Sequence, residues 1–125
     1  MSAPSDVLRN VQPEGWPPPL GYANGLCTMG RGERVLFVAG QIGWLPDGTF
    51  ATDDLGEQFG QALDNVLAVV TAAGGEARNI ARMTVYVTDL DAYRTGTRAI
   101  GQAWRARMGR HFPAMALLGV AGLVE

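Results

Sequence analysis

Between Leu55 and Thr88 the spacing of apolar residues changes from a helical period to a strand period, which restricts the fold to one that packs helix against sheet. Leu55, Phe59, Leu63, Val66 and Val70 follow one another at intervals of four, four, three and four, so they share one face of a helix. Asp53 or Asp54 is placed to cap that helix, because a carboxylate at this point accepts from free N–H groups at the positive end of the dipole. Gly74-Gly75 predicts its end, where a glycine can adopt the left-handed conformation that closes a helix. Met83, Val85 and Val87 then alternate with Thr84, Tyr86 and Thr88, which predicts a strand over 82–88 with one strongly apolar face.

The flanking segments extend this pattern. Residues 1–20 contain Pro4, Pro13, Pro17, Pro18 and Pro19 and are expected to form an irregular lead-in, since consecutive prolines impose extended geometry without backbone donors. Trp16 is expected to cover an edge of the core. From Leu26 onward, two short β-rich runs flank Gly30-Arg31-Gly32-Glu33 and predict an antiparallel hairpin. Pro46-Asp47-Gly48-Thr49 predicts a turn, followed by a short third strand around Thr49 to Ala51. A second helix is expected from about Ala92 to Met108, with Tyr93, Thr97, Ile100, Trp104 and Met108 inward, and a last strand from Ala114 to Val120. The order β-β-(β)-α-β-α-β describes a single α+β domain over 21–125, with two helices on one face of a mixed sheet. The apolar opposite face calls for a cover, and self-association would supply it.

Composition removes several classes of chemistry. All ten Lys+Arg residues are arginine, so no lysine can form a Schiff base. One cysteine, Cys27, and one histidine, His111, exclude an internal disulfide and the multi-cysteine or two-histidine metal motifs. The only serines, Ser2 and Ser5, lie in the N-terminal tail and give no credible triad nucleophile. No cofactor is expected. The N-terminus lacks a signal-peptide pattern and no apolar run reaches membrane-spanning length, so a cytoplasmic protein without membrane attachment is expected. Arg94, Arg98, Arg105, Arg107 and Arg110 make the second helix basic. With a net charge of −2 and no RNA-binding motif, that stripe reads as a solvated face rather than a nucleic-acid surface.

Several blocks together resemble the RidA (YjgF) family, also known as the L-PSP endoribonucleases. They are Val35-Leu36-Phe37-Val38-Ala39-Gly40-Gln41-Ile42, the helix text Gln58-Phe59-Gly60-Gln61-Ala62-Leu63-Asp64-Asn65-Val66, Thr84-Val85-Tyr86-Val87-Thr88-Asp89, and Phe112-Pro113-Ala114. The resemblance spans residues 20 to about 122. It implies a chorismate-mutase-like fold, a homotrimer with clefts at the subunit interfaces, and a small-molecule metabolite as ligand. Archetypal members hydrolyse reactive enamines and imines to a 2-oxo acid and ammonia. Some members carry a ribonuclease label.

Residue by residue, the resemblance assigns the pocket tyrosine to Tyr22 and the glycine of the family's Ser-Gly-Gln to Gly40, with Ala39 in place of the serine. A polar residue often found on the second helix falls on Thr97. The family's carboxylate-binding arginine falls on Met115, and a cysteine often found two residues later falls on Leu117. A thioether cannot pair with a carboxylate but suits an apolar or aromatic ligand. The substrate pocket expected from the resemblance is therefore Tyr22, Ala39, Gly40, Thr97, Met115 and Leu117, with no catalytic group assigned. Glu125 precedes the position of the family's final strand, which is expected to be missing. Three readings follow: an enamine or imine deaminase of atypical substrate, a non-catalytic metabolite-binding or regulatory trimer, and a ribonuclease.

Overall fold

The computed structural model describes residues 7–124; Pro4, Ser2, Ser5 and Glu125 lie outside the described residues. Strands β1 (Leu8–Val11), β2 (Gly25–Thr28) and β3 (Leu36–Val38) form an antiparallel sheet in that order. Its registers pair Val11 with Gly25 and Leu26 with Phe37. The expected hairpin is thus β2–β3, closed across the loop by Thr28 N–H donating to Val35 O at 2.9 Å. The lead-in over 1–20 is not irregular throughout, because Leu8–Val11 pairs along β2 before the prolines begin. Leu8 and Val11 do not alternate, so the order of this strand comes from its partner rather than its own pattern. The expected third strand at 49–51 reduces to one bridge, Trp44 with Phe50. Two bonds from the Thr49 hydroxyl and N–H to the Asp47 carboxylate hold this turn, and they keep that carboxyl below the usual carboxylate range, the side-chain bond first.

Helix α1 (Leu55–Ala72) begins at Asp54, whose carboxylate accepts from Glu57 N–H, and closes before Gly74 at φ 88°. Its buried residue Val69 backs the three-stranded sheet, where Val11, Cys27 and Val69 form one core cluster with Trp16 packed against it. The approach is close: a Cβ on Gly25 would lie 2.7 Å from Val69 Cγ1. Strand β4 (Arg82–Val87) follows a single 3₁₀ turn at Ala77–Asn79. It pairs in parallel with β5 (Ala114–Gly119), aligning Met83 with Met115, Val85 with Leu117 and Tyr86 with Leu118. A parallel pair needs a crossover, and helices supply it.

That crossover is two helices where one is expected, α2 (Leu90–Thr95) and α3 (Thr97–Met108). The break falls at Gly96, whose N–H donates to Ala92 O and Tyr93 O, while Thr95 Oγ1 donates to Asp91 O at 3.0 Å. A side chain would not fit there, because a Cβ would meet Ala92 O at 2.9 Å. Helix α3 packs on α1 through Leu63, Trp104 and Met108, a second core cluster that also takes in Phe59 and Met83. Arg107 fixes the pairing by donating from Nε to Asp64 Oδ1 at 2.7 Å and from Nη2 to Oδ2 at 3.2 Å. The molecule is therefore α+β, with its sheet residues divided between an antiparallel triplet and a parallel pair. Among the described residues no helix is long and apolar enough to cross a membrane.

Candidate functional site

Where β5 runs beside α3 the packing leaves a groove of about 380 Å³, within the size range of small-molecule sites. One wall is the strand pair, with Val85, Met115 and Leu117. The other is the helix face with Thr97, Gly101 and Trp104, and Phe59 and Phe112 lie along the margins. These walls follow from the two periodicities. On the parallel pair, Val85 and Leu117 are register partners and share one face. On α3, Ile100, Trp104 and Met108 are buried, and the adjacent row Thr97, Gly101, Arg105 at four-residue intervals fronts the open space.

The groove is packed at its centre and open at its edge. Trp104 stacks on Phe112 with ring centroids 6.1 Å apart and planes inclined by 8°, and meets Phe59 at 6.5 Å. Its indole N–H donates to His111 O at 3.2 Å. His111 in turn reaches Ile80 O from Nε2 at 2.7 Å, a contact that requires the proton on that nitrogen. His111 is thus a structural tie at the helix end, joining the segment that leads into β5 to the segment that leads into β4. Phe112 and Met115 remain 66% and 48% exposed, so the mouth of the groove is apolar and accessible.

Of the residues expected in a pocket, Thr97, Met115 and Leu117 come together here, while Tyr22, Ala39 and Gly40 do not line this groove. The latter three belong to a second locality, where buried Asn24 joins two loops. Asn24 Nδ2 donates to Gln12 Oε1 at 2.8 Å, and Gln41 Nε2 donates to Asn24 Oδ1 at 3.3 Å. Ala39 N–H donates to Asn24 O at 2.8 Å. Asn65 on α1 anchors the following stretch by donating from Nδ2 to Ile42 O and Trp44 O at 2.9 and 2.7 Å. Tyr22 is exposed at this locality and Ala39 half-buried. Sequence reasoning missed Phe59, Trp104, Phe112 and Arg105 as groove residues; the first two belong to the predicted helix faces, which could have signalled them.

The chemistry of the lining is narrow. Thr97 and Tyr93 supply hydroxyls and Arg105 the single charge, and no carboxylate or imidazole lines the groove. Cys27 is buried in the other half of the molecule, consistent with a packing role. Two arginines of the basic stretch are engaged, Arg107 with Asp64 and Arg94 with Asp91 at 3.6 Å. Among the described residues no group of three or more His, Cys, Asp or Glu could hold a metal ion.

Residues 21–125 match the family model described as endoribonuclease L-PSP. The chain belongs to this family. Among L-PSP relatives, the 2-iminobutanoate/2-iminopropanoate deaminase of Salmonella typhimurium is 32% identical over 118 residues, 94% of this chain and 88% of the relative. The human protein of the same name is 29% identical over 92 residues, 73% of this chain, and the match spans 64% of the human protein's length. The crystal structure of E. coli TdcF with bound serine superimposes with a TM-score of 0.75 at 28% identity, covering 94% of this chain and 89% of that one. The likeness read from the sequence blocks is therefore one of both family and fold.

Proposed function

We propose that this L-PSP-family chain binds a small metabolite in the groove between β5 and α3 and hydrolyses an imine or enamine there. The observation that carries the reading is the convergence of Thr97, Met115 and Leu117 on one apolar groove, in a family whose curated relatives include imine deaminases. In the reaction, water adds to the carbon of the C=N bond; the carbinolamine collapses, breaking the C–N bond to leave a carbonyl compound and ammonia. In this reading Met115 stands where the family's arginine would, and the substrate correspondingly carries an apolar or aromatic side chain.

The same proposal includes a homotrimer. Phe37 on β3 and Tyr86 with Leu118 on the parallel pair are exposed at 61%, 53% and 49%, more apolar sheet surface than a lone subunit is expected to leave in water. Tyr22, Ala39 and Gly40 of one subunit would then close the groove of the next, uniting the two localities. Loss of 2-aminoacrylate and of an aromatic enamine, both generated in situ, should accelerate on adding the protein. Absence of turnover on both would remove the hydrolase reading. A second reading, a binding or regulatory trimer, draws on the absence of a carboxylate or imidazole from the groove lining, because such a group usually activates the attacking water.

A further inference from the structure

The groove is apolar on nearly every side and carries one cation. Arg105 projects from α3 one turn after Gly101, and the two lie on the same helical row. Its guanidinium folds back along that row, so that a Cβ on Gly101 would lie 3.4 Å from Arg105 Nη1 and 3.9 Å from Nη2. The glycine thus leaves the head of the arginine at the groove wall, where both residues line the space.

What distinguishes Arg105 is that it is the one charged side chain lining the groove, and it is unspent. Arg78, Arg94 and Arg107 each pair with a carboxylate. The Arg105 side chain makes no hydrogen bond or ion pair among the described residues, and no acid lines the groove to neutralise it. A guanidinium with open donors beside an apolar wall is suited to bidentate capture of a planar anion. The indole of Trp104, the Phe112 ring and the Met115 thioether offer the surface for a flat apolar body.

We propose that Arg105 is the specificity-determining anion contact of this groove, and that the ligand is a small carboxylate bearing an aryl side chain. The carboxylate meets Arg105 at the helix wall and the ring lies against Trp104, Phe112 and Met115. This deepens the reading of the groove as a metabolite site and rests on it, but it concerns binding and not turnover. It also defines a selectivity: an aryl 2-oxo or 2-imino acid is preferred over a short one, because a methyl group leaves the aromatic wall uncovered.

The test is calorimetric titration of the full chain with phenylpyruvate, pyruvate and the neutral ketone phenylacetone, repeated with Arg105→Gln and Arg105→Lys. Phenylpyruvate should bind more tightly than pyruvate. Arg105→Gln should weaken phenylpyruvate about tenfold or more, the scale of losing a charge-assisted pair, while phenylacetone is unaffected, and Arg105→Lys should recover part of the loss. Equal phenylpyruvate affinity in wild type and Arg105→Gln would overturn the assignment, as would equal binding of pyruvate and phenylpyruvate or no binding of phenylpyruvate. Because Arg105 is exposed, its variants should keep the fold. Failed binding with imine turnover intact sinks this inference alone; intact binding without turnover sinks only the hydrolase reading.

Discussion

The half of the molecule built on β1, β2 and β3 is closed, and the half built on β4 and β5 is open. In the first, α1 lies so near the sheet that only glycine fits at position 25, and Val11 and Val69 are 2% and 0% exposed. In the second, α3 packs on α1 in one tight cluster at Leu63, Trp104 and Met108, joined by Met83 of β4, and α3 and the parallel pair then diverge into the groove. Dense packing fixes a structure because few alternatives fill the same space. A binding site needs the reverse over a limited area, with apolar surface kept uncovered by the walls around it. Trp104 serves both ends, buried in the cluster and forming the floor of the opening.

The contrast can be broken by truncating the residue on which the open half depends. Trp104→Ala should lower stability by about 3 to 5 kcal/mol, measured by urea unfolding, and should abolish groove binding. A loss under about 1 kcal/mol would mean that the open half is not organised by this ring. A sharper probe of the closed half is Gly25→Ala, whose added Cβ meets Val69 at 2.7 Å and Val11 at 3.3 Å. Overpacking of this kind should cost about 1 to 3 kcal/mol, and an unchanged unfolding midpoint would show that the helix can withdraw from the sheet. Smallest in stability should be Met115→Arg, within about 0.5 kcal/mol because the side chain is half exposed. Its effect should appear instead as tighter binding of 2-oxo acids by titration, and unchanged affinity would remove Met115 from the groove's contact surface.

Legibility in the sequence followed the same division. The α1 stripe, its Asp54 cap, its glycine stop and the β4 alternation were readable because each is a local pattern repeated several times. Strand β1 was not, since Leu8-Arg9-Asn10-Val11 carries no alternation and becomes a strand only by pairing with β2. The break at Gly96 was hidden because the apolar row of the second helix continues across it from Tyr93 to Ile100. Thr97, Met115 and Leu117 could be named from family blocks, but the groove also needs Phe59 from a different helix and the unpaired state of Arg105. Neither is a property of any one segment. The separation of Tyr22, Ala39 and Gly40 from the groove is likewise a matter of tertiary distance.

Trp104 has one more consequence. The three indoles of the chain, Trp16, Trp44 and Trp104, report on three different places: Trp16 on the closed core, Trp44 on Phe50 in the loop, and Trp104 on the groove. A molecule entering the groove meets one indole, itself 7% exposed, and not the other two, which lie outside the lining. The protein therefore carries an intrinsic fluorophore at its own opening, whose emission can follow occupancy without a label.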